Sequence, residues 1–108
     1  MVAIAITARL VIEPGRVDEY LRAAQEVIGH TREEPGCQLY AFARDILQPD
    51  VIWVSEQWQS DAALQQHFAT EHLGRFLQRV AGIELLEMDV RKYEVARIGS
   101  IAPPPVPA

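Results

Sequence analysis

The segment 37–59, CQLYAFARDILQPDVIWVSEQWQ, decides the fold. Its first half alternates in side-chain direction up to about Ile46, and its second half from Val51 has no helical period, which is typical of two β-strands. Pro49 and Asp50 lie between the halves and favour a turn. The segment therefore predicts a β-hairpin.

An amphipathic helical region is predicted on each side of this hairpin. Before it, apolar residues recur at helical spacing over residues 17–28, and Gly36 follows the end of this helix. After it, Ser60 is a good N-cap, and Thr70 is placed to cap a second helical piece.

A further strand is predicted at each end of the domain. Residues 2–12 alternate, and the last strand spans 83 to about 98, with a β-bulge near Arg91 because its apolar phase changes. The order β-α-β-β-α-β predicts a ferredoxin-like α+β fold, with an antiparallel sheet and the helices on one face. We expect residues 1–98 to form this domain and the proline-rich residues 99–108 to form a C-terminal tail.

The strands are apolar on both faces. In the second strand of the hairpin, Val51 and Trp53 point one way, while Ile52 and Val54 point the other way. Two helical regions can cover only one face, and an exposed apolar face exceeds what monomers normally tolerate. We expect the sheet of an identical chain to cover it, giving a homodimer through the open sheet face. The alternative is that β-propensity alone places apolar residues there.

Composition and charge restrict the partners. The chain has 108 residues, a net charge of −5 and no run of Lys or Arg, so we expect neither nucleic-acid binding nor an anionic membrane surface. No apolar run approaches the ~20 residues of a membrane span. The single cysteine, Cys37, cannot form an intrachain disulfide, which fits a cytoplasmic protein.

Several short stretches keep their order along most of residues 2–98. They are Glu34-Pro35-Gly36-Cys37-Gln38-Leu39-Tyr40, Arg44-Asp45, Glu56-Gln57-Trp58, Ala62-Ala63-Leu64 with His67, and Thr70-Glu71-His72. Together they resemble the antibiotic biosynthesis monooxygenase family. The resemblance implies a dimeric α+β barrel. It also implies one of several activities, since the family includes cofactor-free quinol and anthrone monooxygenases, haem-degrading enzymes and a quorum-signal isomerase.

No cofactor or metal is expected. Haem-degrading members of the family use an Asn, a Trp and a haem-ligating His, where this chain has Ala8, His67 and Leu77. There is no glycine-rich phosphate loop and no cysteine pair. His72 follows His67 by five residues, a spacing that does not align two ligands on one face of a helix.

Three residues are the candidate catalytic groups: His67, Glu56 and Tyr40. An imidazole at the inner edge of a helix could accept a proton from a phenol near neutral pH. Glu56 lies on an apolar strand face, where a carboxylate is either paired or has a raised pKa. Tyr40 could donate a hydrogen bond to a substrate oxygen. Each has a structural alternative: His67 bonded to a carbonyl or to Glu56, Glu56 bonded to a helix, and Tyr40 in the core or an interface.

The candidate substrate-binding residues are Trp58, Phe42, Phe68, Phe76 and His72. They predict an apolar pocket between sheet and helices, although each aromatic ring could equally belong to the core. We therefore expect a cofactor-independent monooxygenase acting on a small electron-rich aromatic compound such as a quinol or anthrone. The alternatives are a non-redox isomerase acting on a small carbonyl compound and a small-molecule-binding dimer.

Overall fold

The computed structural model describes residues 2–107, so Met1 and Ala108 lie outside the described residues. The elements are β1 (Ala3–Ile12), α1 (Val17–Thr31), β2 (Cys37–Arg44), β3 (Val51–Trp58), α2 (Asp61–Phe68), α3 (Glu71–Arg79) and β4 (Leu85–Val95). The strands form one antiparallel sheet in the order β2-β3-β1-β4. This confirms the predicted ferredoxin-like α+β fold.

The second helical region is divided in two, and both pieces are capped as the sequence predicts. The Ser60 hydroxyl accepts the Ala63 backbone N–H at 3.2 Å and begins α2. The Thr70 hydroxyl accepts the Leu73 N–H at 3.4 Å and donates to the His67 carbonyl at 2.8 Å. Thr70 therefore begins α3 and also closes α2.

The core lies between the helices and one face of the sheet. In β1 the even-numbered side chains from Ile4 to Ile12 are buried, while the odd-numbered ones are not. The buried β1 side chains form one cluster with those of α1, such as Tyr20 and Val27, and with Trp58 of β3. We call this side of the sheet the covered face. No helix within residues 2–107 is long and apolar enough to cross a membrane.

The opposite side, which we call the open face, carries large side chains that are partly exposed. Leu39, Trp53 and Tyr93 are 37, 41 and 46% exposed. Arg9 pairs in register with Trp53 on one side and with Asp89 on the other, so charges interrupt the apolar surface. An apolar second face is thus present, and its cover by an identical chain stays a prediction.

The predicted bulge near Arg91 is wrong. The β1–β4 register is regular from Ala3 to Val11, and the irregularity lies at the beginning of β4, around Leu86. The apolar phase changes for a different reason. Met88 and Val90 point to the covered side and Tyr93 to the open side, yet all three are about half exposed or more. The helices do not extend over this edge strand, so burial does not select one apolar face of it.

The strand β2 is shorter than predicted, since it ends at Arg44 and not near Ile46, and the side chain of its first residue points to the opposite face from the predicted one. A register shift between Cys37 and Leu39 leaves Gln38 unpaired, so that Cys37 shares the covered face with Tyr40. The strand ends at Arg44 because the next residue, Asp45, accepts the backbone N–H groups of residues 47 and 48 at 2.8 and 3.0 Å.

Candidate active site

Four of the predicted site residues come together on the covered face. The ring of His67 lies 5.2 Å from Tyr40 and 4.8 Å from Trp58, measured between centroids. Trp58 in turn donates its indole N–H to Glu56 at 2.9 Å. Tyr40, Trp58 and His67 are 3, 0 and 2% exposed. The sheet and α2 therefore enclose an imidazole between two aromatic rings, with a carboxyl group next to one of them.

The carboxylate that holds His67 is Glu34, not the Glu56 that the sequence suggested. Glu34 Oε2 lies 2.8 Å from His67 Nδ1 and 2.7 Å from His72 Nε2. A carboxylate oxygen accepts hydrogen bonds, so the tautomers that match these contacts have the proton on Nδ1 of His67 and on Nε2 of His72. In a neutral His67 ring of this tautomer, the lone pair lies on Nε2.

His67 and His72 contact one carboxylate, although their five-residue spacing does not align them on one face of a continuous helix. Their ring centroids are 6.3 Å apart, because the chain is not one continuous helix between them. The α2 helix ends just after His67, and the break at Thr70 lets the second residue of α3 turn back toward it. The five-residue spacing therefore brings both rings to one carboxylate.

Glu34 itself has no role in the sequence-based hypothesis, although a signal for its position exists. It precedes Pro35 and Gly36, and Gly36 has a φ of 85°. A Cβ on Gly36 would lie 2.7 Å from the Ala63 Cβ, so the turn passes directly against α2. Only glycine suits position 36, because the backbone there has a positive φ and a Cβ would clash with α2. The path of the turn is thereby fixed, and Glu34 is held against α2 and α3.

Glu56 has the electrostatics of a buried carboxyl group. Burial raises its pKa, and the nearby charge of Glu34 adds to the effect, while the Trp58 N–H and His67 oppose it. Burial also raises the pKa of Tyr40, with Glu56 and Glu34 contributing. The Tyr40 hydroxyl is thus protonated near neutral pH and available as a hydrogen-bond donor.

The remaining predicted residues extend the site in two directions. Phe42 lies 5.7 Å from Tyr40 and 6.0 Å from Phe76, so these rings lead away from His67 into the core. Phe68 lies 6.0 Å from His67 on its other side and is 56% exposed. The aromatic surroundings of His67 thus run from the core to the surface.

A cleft of about 270 Å³ lies elsewhere, on the open face. Its lining includes Arg9, Trp53, Arg91 and Tyr93. Arg9 is paired with Glu87 at 2.8 Å, so its charge is already compensated. This cleft contains none of the predicted site residues.

The fold and the site define a small α+β protein that buries a carboxylate–imidazole pair among aromatic rings. The family model for antibiotic biosynthesis monooxygenases matches residues 3–79. The chain belongs to this family.

Three relatives are similar over most of this chain. An uncharacterised protein of Synechocystis is 26% identical over 93 residues, which are 86% of this chain and 63% of that longer protein. The "Putative monooxygenase YcnE" of Bacillus subtilis is 28% identical over 95 residues, covering 86% of this chain and 98% of the relative. The "Probable quinol monooxygenase YgiN" of Escherichia coli is 28% identical over 102 residues, covering 82% and 93%.

Solved structures agree with the fold. A Pseudomonas aeruginosa protein superimposes with a TM-score of 0.80 at 25% identity, over 92% of this chain and 97% of the other. The structure of a "putative antibiotic biosynthesis monooxygenase" from Caulobacter crescentus gives a TM-score of 0.83 at 20% identity, over 89% of this chain and 92% of the other. At that identity the second likeness supports the fold alone.

Proposed function

We propose that this protein is a cofactor-independent monooxygenase acting on a small electron-rich aromatic compound of the quinol or anthrone type. The observation that carries the proposal is the Glu34–His67 pair, enclosed by aromatic rings on the covered face. Membership of the family and the names of two relatives support an oxygenase, and one of those names supports a quinol as the substrate class.

His67 is the proposed base. Glu34 holds the Nδ1–H and so leaves a lone pair on Nε2 for a phenolic proton. Glu34 acts as a positioning residue, because it fixes the tautomer of the imidazole.

Deprotonation makes the substrate oxidisable by oxygen. A phenolate anion can pass an electron to O₂, and the two radicals can then combine. For a hydroquinone, C₆H₆O₂ and O₂ give the hydroxyquinone C₆H₄O₃ and one H₂O. One oxygen atom enters the ring, the other leaves as water, and all four electrons come from the substrate. The reaction therefore needs no separate reductant.

The surrounding rings supply orientation and exclude water. Tyr40 donates a hydrogen bond to a substrate oxygen, and Trp58 forms a flat apolar wall beside His67. A dry site strengthens the interaction between the imidazolium and the phenolate. His67 is nearly fully buried, so the substrate enters by displacing the exposed ring of Phe68 next to it.

Oxygen uptake tests the proposal. Metal-stripped protein is supplied with a panel of hydroquinones, and the rate is compared for wild type, His67→Gln and Gln66→Ala. Glutamine can still donate to Glu34 but is no base, so we expect His67→Gln to lose about 100- to 10,000-fold in rate. Gln66 lies on the same helix and is exposed, so its variant should keep the wild-type rate. An equal rate for His67→Gln would contradict the role of His67.

A second candidate is proton-transfer isomerisation of a small carbonyl compound. It is favoured by Glu56, whose pKa is raised by burial, because a carboxyl group that protonates more readily than usual near a base supplies both partners for moving a proton. Turnover of a carbonyl substrate without oxygen, lost in Glu56→Ala, would favour the isomerase. Binding of aromatic compounds without turnover in either atmosphere would leave the protein as a binding dimer.

We further propose that an identical chain covers the open face. The exposed rings of Trp53 and Tyr93 lie there, and Thr7 lies near its centre on β1. Sedimentation velocity should find a dimer for wild type and a monomer for Thr7→Arg, which places a cation against Arg91. Gln66→Arg on the exposed side of α2 should remain a dimer. A monomeric wild type at about 100 μM would contradict the proposal.

A further inference from the structure

We propose that Glu34, His67 and His72 form a binding site for a divalent first-row transition metal of the Zn²⁺ type. Each residue offers one ligand atom, and the three atoms lie within 4.8 Å of one another. Two imidazole nitrogens and one carboxylate oxygen are a ligand set that recurs in three-residue metal centres, where a fourth position stays open.

The ligands come from separate elements that fix them independently. Glu34 is held by the crowded turn at Gly36, and the two histidines by the helix break at Thr70. The site therefore exists before a metal arrives, so little chain ordering opposes binding.

The distances between the ligand atoms need adjustment. Glu34 Oε2 lies 2.8 Å from His67 Nδ1 and 2.7 Å from His72 Nε2. Ligand atoms of a tetrahedral site with bonds of about 2.1 Å are about 3.4 Å apart. Each O···N distance must therefore lengthen by roughly 0.6–0.7 Å, and the N···N distance, which is at most 4.8 Å, must shorten by up to about 1.4 Å. Three metal bonds then replace the two N–H···O hydrogen bonds.

The burial and the donor atoms favour a transition metal. The side chains of His67, Glu34 and His72 are 2, 10 and 15% exposed, so an ion would be shielded yet reachable from the His72 side. Two neutral imidazoles and one carboxylate have a net charge of −1, which attracts a dication. Ca²⁺ and Mg²⁺ require mainly oxygen ligands, and this site offers one carboxylate.

Metal binding has a consequence for the proposed base, and this step rests on the proposed function. A metal on Nδ1 of His67 takes the lone pair there, so the ring proton must move to Nε2. That nitrogen then cannot accept a phenolic proton. The metal-loaded protein is therefore the inactive form, and metal and substrate deprotonation exclude each other at one imidazole.

Binding of Co²⁺ and Zn²⁺ tests the site independently of activity. We expect visible d–d absorption when Co²⁺ is added, its loss when Zn²⁺ displaces it, and a Zn²⁺ affinity at least about 100-fold weaker in His72→Gln and Glu34→Gln. Glutamine can still hydrogen-bond in both positions, so these variants should fold. His30→Ala is the matched control, because His30 stacks on His72 at 5.4 Å but is exposed and outside the cluster. It should bind Zn²⁺ like wild type.

Two outcomes would overturn the inference. One is the absence of a Co²⁺ spectrum in wild type. The other is a Zn²⁺ affinity of His72→Gln that equals that of the His30→Ala control. The inhibition is tested separately: Zn²⁺ should stop oxygen uptake by wild type and His30→Ala at the concentration that fills the site. Metal binding without any oxygen uptake in the metal-free protein would contradict the proposed oxygenase and leave the site intact.

Discussion

The same hydrogen bond occurs twice in this protein, in opposite surroundings. Trp58 donates its indole N–H to Glu56 at 2.9 Å on the covered face, and Trp53 donates to Asp45 at 2.8 Å beside the open face. Trp58 is fully buried, whereas Trp53 is 41% exposed. Burial raises the pKa of Glu56 despite its bond, whereas the Trp53 bond and two backbone N–H groups lower the pKa of Asp45.

At Glu56, burial outweighs the single hydrogen bond from Trp58 in the direction in which the pKa moves, whereas partly exposed Asp45 accepts three hydrogen bonds with little burial to oppose them. On the covered face, polar groups are removed from water and held by one another, which is the condition for proton-transfer chemistry. Beside the open face, the same groups stay hydrated and form a polar edge around exposed rings. The chemistry and the proposed assembly surface therefore lie on opposite sides of one sheet.

The largest expected effect concerns the turn that fixes Glu34 on the covered face. Gly36 and Gly15 both have positive φ, 85° and 83°, but a Cβ at Gly15 would meet nothing within 4 Å. Alanine at either position adopts a left-handed conformation at a cost of about 1–2 kcal/mol. Gly36→Ala also forces a Cβ against Ala63, which adds about 1–3 kcal/mol. Urea unfolding should therefore show a clearly larger loss for Gly36→Ala.

A double variant separates the two causes. Combining Gly36→Ala with Ala63→Gly removes the close contact but keeps the left-handed residue. The two changes should then cost less together than the sum of their separate effects. Strict additivity would mean that crowding against α2 does not fix this turn.

The second effect compares the two tryptophans directly. Trp58→Phe leaves a buried void and removes the hydrogen-bond donor of Glu56, so we expect a loss of about 2–3 kcal/mol in the free energy of unfolding. Trp53→Phe removes the indole N–H that Trp53 donates to Asp45, but water can replace this bond at the exposed site. In the monomer we therefore expect a loss of at most about 1 kcal/mol in the free energy of unfolding. If a second chain covers the open face, the Trp53→Phe loss grows with protein concentration and the Trp58→Phe loss does not. Equal losses at low concentration would remove the distinction between the two regions.

The sequence predicts the fold well because the fold depends on local signals. The apolar periods, the turn at Pro49 and the caps at Ser60 and Thr70 each act within a few residues, and the structure contains all of them. The bulge near Arg91 fails because the prediction assumes that burial selects one face of each strand. The edge strand β4 is exposed on both sides, so its apolar phase carries no information on register.

The candidate site is harder to predict because its contacts join distant parts of the chain. Tyr40, Glu56, Trp58 and His67 could be brought together by strand phase and helix face. The partner of His67 could not, since Glu34 is 33 residues away in sequence and reaches it through a tertiary contact. The helical spacing rule also fails for His72, because the rule assumes one uninterrupted helix and the Thr70 cap interrupts it.

The last prediction uses pH, because the two carboxyl groups should respond with opposite sign. The pKa of Glu56 is raised above its ordinary value of 4.5. The contribution of Glu56 to the free energy of unfolding is therefore present below pH 4.5 and is lost as pH rises through the pKa of the folded protein. The pKa of Asp45 is lowered below 3.8, so its contribution to stability is present above that pH and is lost as pH falls.

Glu56→Gln removes the pH dependence that Glu56 causes and keeps an acceptor for Trp58, and Asp45→Asn removes the pH dependence that Asp45 causes. Relative to wild type, Glu56→Gln should therefore gain stability as pH rises above 4.5, and Asp45→Asn should lose stability as pH rises through the region below 3.8. Unfolding free energies of the three proteins across this range measure both differences. If the two differences had the same slope, burial would not be what distinguishes these two tryptophan–carboxylate pairs.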